Sequence, residues 1–408
     1  MVKSLLKLIA CILAIVMALC LVSCNNAPES QPSQATSEST QTSATTTKKS
    51  SNSTNPPEPQ EPEYLFSEDI KNLIIIIGDG MGPQHITAGQ ISENKTYGFT
   101  EWSKSFCNTN SIDSSGAEVV TDSAASATAL ATGTLTRNGF VGKDKSGKDL
   151  ENILEIAKKN KKAVGVVTSD YLHGATPAGF SAHSSNRNNT DEITRSQISS
   201  GIDFLCGLRS DDFYEEYLRT IELFKIHYAT DLSDKEAIMA AKSVFLPIDL
   251  ENGKSGAVAL KDATAMAIEY LERDTDGFVL MVEQAYIDKY SHSNTIDKVL
   301  ERVKSLNDTV DTVMEWVGDR TDTAVIVTAD HETGGLSGAT TPDYEPSYII
   351  NNNTLYYDWS SVDHTKTMVE IFVYGIDIDF ASISKYKTAD KIRNTDVFVL
   401  MKEILRFE

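Results

Sequence analysis

Leu73-Ile74-Ile75-Ile76-Ile77 runs without interruption into Gly78-Asp79-Gly80. Four consecutive isoleucines are stiff at χ1 and offer no polar side chain to water. The segment therefore reads as a strand buried on both faces, which is the habit of parallel sheets covered by helices on either side. Asp79 stands at its carboxyl end. A second run, Asp276-Gly277-Phe278-Val279-Leu280-Met281-Val282-Glu283, also closes on a carboxylate, and a third, Thr323-Ala324-Val325-Ile326-Val327-Thr328-Ala329, closes on Asp330-His331. A further apolar run covers Met368 to Tyr374. Amphipathic helices are expected between such strands, at about Leu150 to Lys159, Lys261 to Arg273 and Thr295 to Val317. In the last, Ile296, Val299, Leu300, Val303, Leu306, Val310, Val313, Met314 and Val317 fall at helical spacing and face a core. The expected class is α/β, a three-layer α/β/α sandwich with a mainly parallel central sheet. Residues 208–250 and 336–362 read as insertions at its rim.

In open α/β sheets, ligands collect outside the carboxyl ends of the strands. Asp79, Glu283, Asp288, His292, Asp330 and His331, joined by His364 just before the Met368 run, would converge there. Taken singly, each has a plainer reading: an Asp after a strand often caps a helix or forms a turn. Together they would repel or stay unsatisfied unless cations held them. Mixed His and Asp ligation suits zinc, and a separate all-oxygen cluster suits magnesium.

Thr121-Asp122-Ser123-Ala124-Ala125-Ser126-Ala127 adds a nucleophile. Asp122 is placed to cap a small-residue helix whose first N–H groups favour an anion, and Ser123 opens that helix. A serine so placed is expected to be presented rather than buried.

These segments together resemble the alkaline phosphatase family. The matching stretches are Gly78-Asp79-Gly80-Met81-Gly82, Thr121 to Ala125, Glu283 through His292, Ala329-Asp330-His331-Glu332 and His364-Thr365, in the family's order. The resemblance implies that Ser123 is the nucleophile and that Asp288, His292 and His364 hold one zinc. It likewise implies that Asp79, Asp330 and His331 hold a second, and that Asp79, Thr176 and Glu283 hold a magnesium ion. Arg187 occupies the position of the family's substrate-clamping arginine, whose planar fork can hold two phosphate oxygens. Asp122 and Lys289 would assist substrate binding, Lys289 through water. One departure is visible. Family members commonly carry Asp or His two residues before the magnesium-site threonine, whereas this chain has Gly174, with His173 one place earlier. The implied activity is hydrolysis of small phosphate monoesters through a phosphoserine. Other readings stay open: a phosphodiesterase or phosphomutase of the wider metal-dependent superfamily, or a non-catalytic lipoprotein that sequesters phosphate or zinc. A sulfatase would need Pro and Arg after its nucleophile, and Ser123-Ala124-Ala125-Ser126 has neither.

The amino terminus gives a location. Lys3 and Lys7 precede an apolar run from Leu8 to Val22, shorter than the roughly 20 residues of a membrane span. Leu21-Val22-Ser23-Cys24 resembles a bacterial lipoprotein cleavage box. Residues 1–23 are read as a signal peptide and Cys24 as the lipid-bearing first residue of the mature chain. Residues 24–63, rich in Ser, Thr, Gln, Asn and Pro, form a flexible tether, and 64–408 form the catalytic domain. The protein is thus expected outside the cytoplasm, held to the bilayer through acylated Cys24. Beyond the leader and Cys24, Cys107 and Cys206 remain, enough for one disulfide, whose pairing the sequence leaves open. A net charge of −21, more negative still without the leader's two lysines, argues against nucleic acid as a partner. Family resemblance alone leaves room for a homodimer.

Overall fold

The isoleucine run forms the centre of a ten-stranded sheet. The computed structural model describes residues 65–66, 69–209, 214–250, 257–338, 347–350 and 353–407. The leader, Cys24 and the 24–63 tether lie outside the described residues. The sheet comprises β1 (Asn72–Gly78), β2 (Ser103–Asn108), β3 (Ala163–Tyr171), β4 (Phe204–Leu208), β5 (His227–Tyr228), β6 (Val244–Ile248), β7 (Phe278–Gln284) and β8 (Thr323–Thr328). After a short ribbon made by β9 (Glu332–Thr333) and β10 (His364–Thr365), it is completed by β11 (Val369–Tyr374) and β12 (Lys391–Arg393). Its order is β12-β2-β11-β8-β1-β7-β3-β4-β6-β5. Every neighbouring pair is parallel except the two made by β11 with β8 and β2.

Helices cover both faces. On one side α1 (Pro83–Glu93), α5 (Leu260–Leu271), α6 (Tyr286–Ser291) and α7 (Ile296–Val317) pack among themselves, and on the other α2 (Ser123–Thr132), α3 (Ile153–Lys159), α4 (Ala175–Ser181) and α8 (Asn394–Ile404) do the same. The three-layer α/β/α expectation holds. All residues of β1, β7 and β8 are buried, as continuous apolar strands require. The α7 stripe is buried as read, Met314 being only partly so. This helix lies close over the end of β1: a Cβ on Gly78 would meet Leu306 Cδ1 at 2.9 Å. The alanines of α2 serve close approach of another kind, because a Cβ on Gly179 of α4 would come within 2.7 Å of Ala127 Cβ.

One expectation changes. Residues 208–250 are not a rim insertion: they carry β5 and β6 and so extend the central sheet at its edge. Pro247 hides this, since proline cannot serve a central strand on both sides. Two-residue β5 pairs only with Val244 and Phe245, so at Pro247 the strand is an edge where proline is tolerated. Residues 336–362 do form small hairpins, Leu336–Ser337 pairing with Asp358–Trp359 and Ser347–Ile350 with Asn353–Tyr356. Cys107 in β2 and Cys206 in β4 are both buried free thiols with five strands between them, so they form no disulfide.

Candidate active site

Strand register brings the acidic groups to one rim. Across four adjacent strands Thr328, Ile77, Glu283 and Thr168 lie side by side, so the residues just beyond them share one edge. Asp79 follows β1 directly, and its N–H donates to Gln284 O at 3.1 Å. Asp330 leaves β8 with Oδ1 accepting from Gly80 N at 3.2 Å and His331 N at 3.0 Å. Its other oxygen, Oδ2, has no hydrogen-bond partner, and neither has Asp79 Oδ1. Both face His331 Nε2, at 3.2 and 3.4 Å. Ser123 Oγ completes this cluster, 3.2 Å from the same nitrogen.

A second cluster abuts it. His292 and His364 point Nε2 at Asp288 Oδ1, at 3.3 and 3.5 Å, and at each other at 3.2 Å. Their Nδ1 atoms donate to Val362 O at 2.5 Å and Thr121 O at 2.8 Å, so Nε2 is the atom left to meet Asp288 or, once unprotonated, a cation. Imidazole nitrogens that can shed a proton and two orphaned buried carboxylate oxygens are what divalent cations satisfy, so the residues fit the metals that the sequence implied. His331 also comes within ligand distance of Asp288 and His364, its ring stacked on His364 at 3.6 Å between centroids. The two clusters are thus one continuous surface of donors.

The electrostatics fit the same reading. Burial first, then Asp330, Asp288 and Glu283, push the Asp79 carboxyl well above the usual range. Burial and Asp288 push Asp330 up to about 7, and burial and Asp170 push Glu283 up to about 8. Burial works against Asp288 as well, but hydrogen bonds from His292 and His364 hold it well below the ordinary carboxylate value. Its carboxylate raises His292 to about 9 in return. Burial and the neighbouring His364 keep His331 neutral.

Ser123 opens α2 as expected, but it is buried, 5% exposed, against the expectation of a presented side chain. His331 lies against it, with Nε2 3.2 Å from Ser123 Oγ. Asp122 caps the helix by accepting from Ala125 N at 2.9 Å through Oδ1. Its Oδ2 accepts from Gly139 N at 2.9 Å and from Arg187 Nη1 at 3.1 Å. Arg187 is half-buried, so its remaining N–H groups stay available beside the serine.

At the far side, Thr176 Oγ1 lies 3.5 Å from Asp79 Oδ2, and Glu283 accepts from Thr168 and Thr176, which gives the oxygen-rich cluster expected for magnesium. His173 does not turn toward it: its ring stacks on Tyr171, 5.2 Å between centroids and 6° from parallel. Asp170 fills the space instead. A Cβ on Gly174 would stand 3.0 Å from Asp170 Oδ2, while Asp170 Oδ1 holds Lys289 Nζ at 2.5 Å. Lys289 also lies over the Tyr286 ring, 4.5 Å from its centroid.

Sequence reasoning missed three participants. Asp170 is the next-to-last residue of β3, close to where Asp79 follows β1, so the strand-end rule could have found it. Glu332 accepts from Thr365 Oγ1 and from Leu336 N at 3.2 Å and braces the β9–β10 ribbon that carries His364. Thr333 Oγ1 lies 2.6 Å from Asp288 Oδ1 and 3.2 Å from His331 Nδ1, and no local pattern announces it.

Known proteins share this design. The sequence profile of the family described as alkaline phosphatase matches residues 70–206 and 241–397. Alkaline phosphatase 4 of Bacillus subtilis is 32% identical over 289 residues, 66% of this chain and 63% of that protein. Alkaline phosphatase 3 of the same organism is 31% identical over 309 residues, 71% of this chain and 66% of that protein. The match therefore spans just under two thirds of either relative. The solved structure of alkaline phosphatase from the Antarctic bacterium TAB5 superposes with a TM-score of 0.71 at 27% identity, covering 84% of this chain and 99% of that one. A variant of the TAB5 protein with Mg bound in its M3 site superposes equally well, TM-score 0.71 at 25% identity over 84% of this chain and 99% of that chain.

Proposed function

Because the chain belongs to the alkaline phosphatase family, we propose that it is a metal-dependent phosphomonoester hydrolase working through a phosphoserine at Ser123. The observation that carries this reading is Ser123 Oγ, 3.2 Å from His331 Nε2 among the oxygens of Asp79 and Asp330, with Arg187 anchored beside it on Asp122. Asp288, His292 and His364 would hold one zinc ion, Asp79, Asp330 and His331 a second, and Asp79, Thr176 and Glu283 a magnesium ion. Bound there, such cations lower the pKa of a hydroxyl and neutralise charge on attacking and leaving oxygens.

The protein's own groups do the rest. Arg187 binds two non-bridging phosphate oxygens and sets the phosphorus against Ser123 Oγ. Ser123 Oγ forms the new P–O bond as the bond to the alcohol's oxygen breaks, and the alcohol leaves with a proton. Water then attacks the phosphoserine, the Ser123 oxygen leaves, and inorganic phosphate departs. Lys289, held on Asp170, keeps a positive charge near the incoming anion. Little is asked of the leaving group, so the substrates are small phosphate monoesters of varied alcohol.

The test is turnover of a chromogenic aryl phosphate with and without chelator, alongside Ser123→Ala. Chelation should abolish the rate, and the variant should lose at least about a thousandfold while keeping its metals. Full activity after exhaustive chelation, or a phosphoryl group trapped on another residue, refutes the mechanism.

The leader, Cys24 and the 24–63 segment support an extracytoplasmic lipoprotein. A multiply acylated Cys24 would hold the chain on the bilayer, whereas a single acyl chain would bind it only marginally. Cys24→Ser should release the protein or block its processing, and an unmodified native amino terminus elsewhere refutes the anchor.

A further inference from the structure

All three zinc-site histidines have a partner at Nδ1, but the partners differ in kind. His292 and His364 meet backbone carbonyls, which only accept. His331 meets the Thr333 hydroxyl, which could donate or accept. The ambiguity is resolved by the second contact of that hydroxyl. Thr333 Oγ1 lies 2.6 Å from Asp288 Oδ1, and a carboxylate only accepts, so the single hydroxyl proton goes to Asp288. Toward His331 the hydroxyl then has only a lone pair to offer. The proton between them belongs to His331 Nδ1, and Nε2 is left bare toward Asp79, Asp330 and Ser123.

Thr333 is unusually well fixed for this task. Its backbone pairs with His364 in the β9–β10 ribbon, its N–H donates to Gly80 O at 3.1 Å, and its side chain is fully buried. It touches Asp288 of one cluster and His331 of the other, and it is tied to the turn after Asp79.

We propose that Thr333 is a positioning residue that couples the two divalent-cation sites, its hydroxyl orienting Asp288 for one and fixing the tautomer of His331 for the other. The proposal rests on the two-cation reading of the site given above. Groups that orient metal ligands in this way typically change affinity by about 10- to 100-fold when removed.

The test uses the folded protein titrated with Zn²⁺ after chelator treatment, in the wild type, in the isosteric Thr333→Val and in Thr333→Ser, which keeps the hydroxyl. Thr333→Val should bind both ions at least about tenfold more weakly, and Thr333→Ser should stay within about threefold of wild type. Loss confined to one ion, wild-type affinity in Thr333→Val, or an equal loss in Thr333→Ser overturns the coupling. Long-range ¹⁵N NMR of the metal-free wild type needs no variant: His331 should carry its proton on Nδ1, and a proton on Nε2 overturns the proposal even if Thr333→Val fails to fold. A wild type that binds no Zn²⁺ overturns the metal reading itself. That outcome is distinct from two bound ions whose affinities ignore residue 333.

Discussion

Arg187 Nη1 sits 3.1 Å from Asp122 Oδ2, while Oδ1 of the same carboxylate caps the helix that begins at Ser123. One side chain therefore sets both the proposed nucleophile and the proposed phosphate clamp, and changes to the pair separate their roles. Arg187→Ala should raise KM and weaken inhibition by phosphate with the metals still bound, by about 2 to 3 kcal/mol of lost charge-assisted hydrogen bonding. Asp122→Asn keeps the capping oxygen but sets an amide donor against Gly139 N–H and Arg187, so it should cost less than Arg187→Ala in KM and about 1 to 3 kcal/mol in stability. Steady-state kinetics with metal analysis check both, and an Arg187→Ala protein with unchanged KM excludes the clamp.

Asp170 stands where a side chain on Gly174 would stand, and it holds Lys289. Asp170→Ala should therefore alter the response of the rate to added Mg²⁺ and raise KM through the released lysine. His173→Ala, whose ring lies against Tyr171, should leave the metal dependence nearly unchanged. Rates measured across a Mg²⁺ series decide between the two, and the reverse ranking would return the magnesium edge to His173.

Without cations, stability should fall with rising pH. Glu283 titrates near 8 and Asp330 near 7 in the folded chain, with Asp79 also well raised, against roughly 4 for ordinary carboxyls. Groups raised on folding stabilise while protonated, and that contribution is lost as pH rises through the folded value. His292, raised to about 9, acts in the same direction. Asp288, held low, is ionised throughout, and His331 matters only below about 6.5, where the unfolded imidazole gains its proton. Between about pH 7 and 9 the chelator-treated protein should lose melting temperature while the metal-loaded protein loses less. Calorimetry on both forms reads the gap, and a gap that does not widen contradicts the cluster's electrostatics.

Gly80 has φ +74°, and a Cβ there would press on Asp288 Cα and Thr333 Oγ1, each at 2.8 Å. Gly80→Ala combines a left-handed backbone with a collision against fixed atoms, so it should destabilise by about 1 to 3 kcal/mol and weaken cation binding. Denaturant unfolding and zinc titration measure the two effects, and a neutral variant would mean that this turn has slack.

Much of this site is legible in the sequence because its ligands follow runs that can only be buried strands. Asp79, Glu283 and Asp330 take their places from strand register, which the apolar runs already imply. What escaped depends on distance in three dimensions. Thr333 matters through Asp288 and His331 together, a relation set by a ribbon that only the folded chain forms. Ser123 reads as exposed from its helix position alone, and it is buried with its Oγ against His331, a residue 208 positions away in the sequence. The edge strands in 208–250 were hidden by Pro247 and by the charged residues around a short apolar run.

The β9–β10 ribbon works as a clasp on the excursion between its strands. Glu332 and Thr333 fasten one end, His364 and Thr365 the other, so His364 is delivered at a fixed point by the pairing itself. Lengthening a closed loop costs only slowly with size, about 0.6 kcal/mol per doubling. The stretch from 338 to 357 is thus where this architecture can trade one outline for another, while Leu336 and Val362 at its margins keep their bonds to Glu332 and His292. Grafting in that span is the natural route to a different substrate range on an unchanged centre.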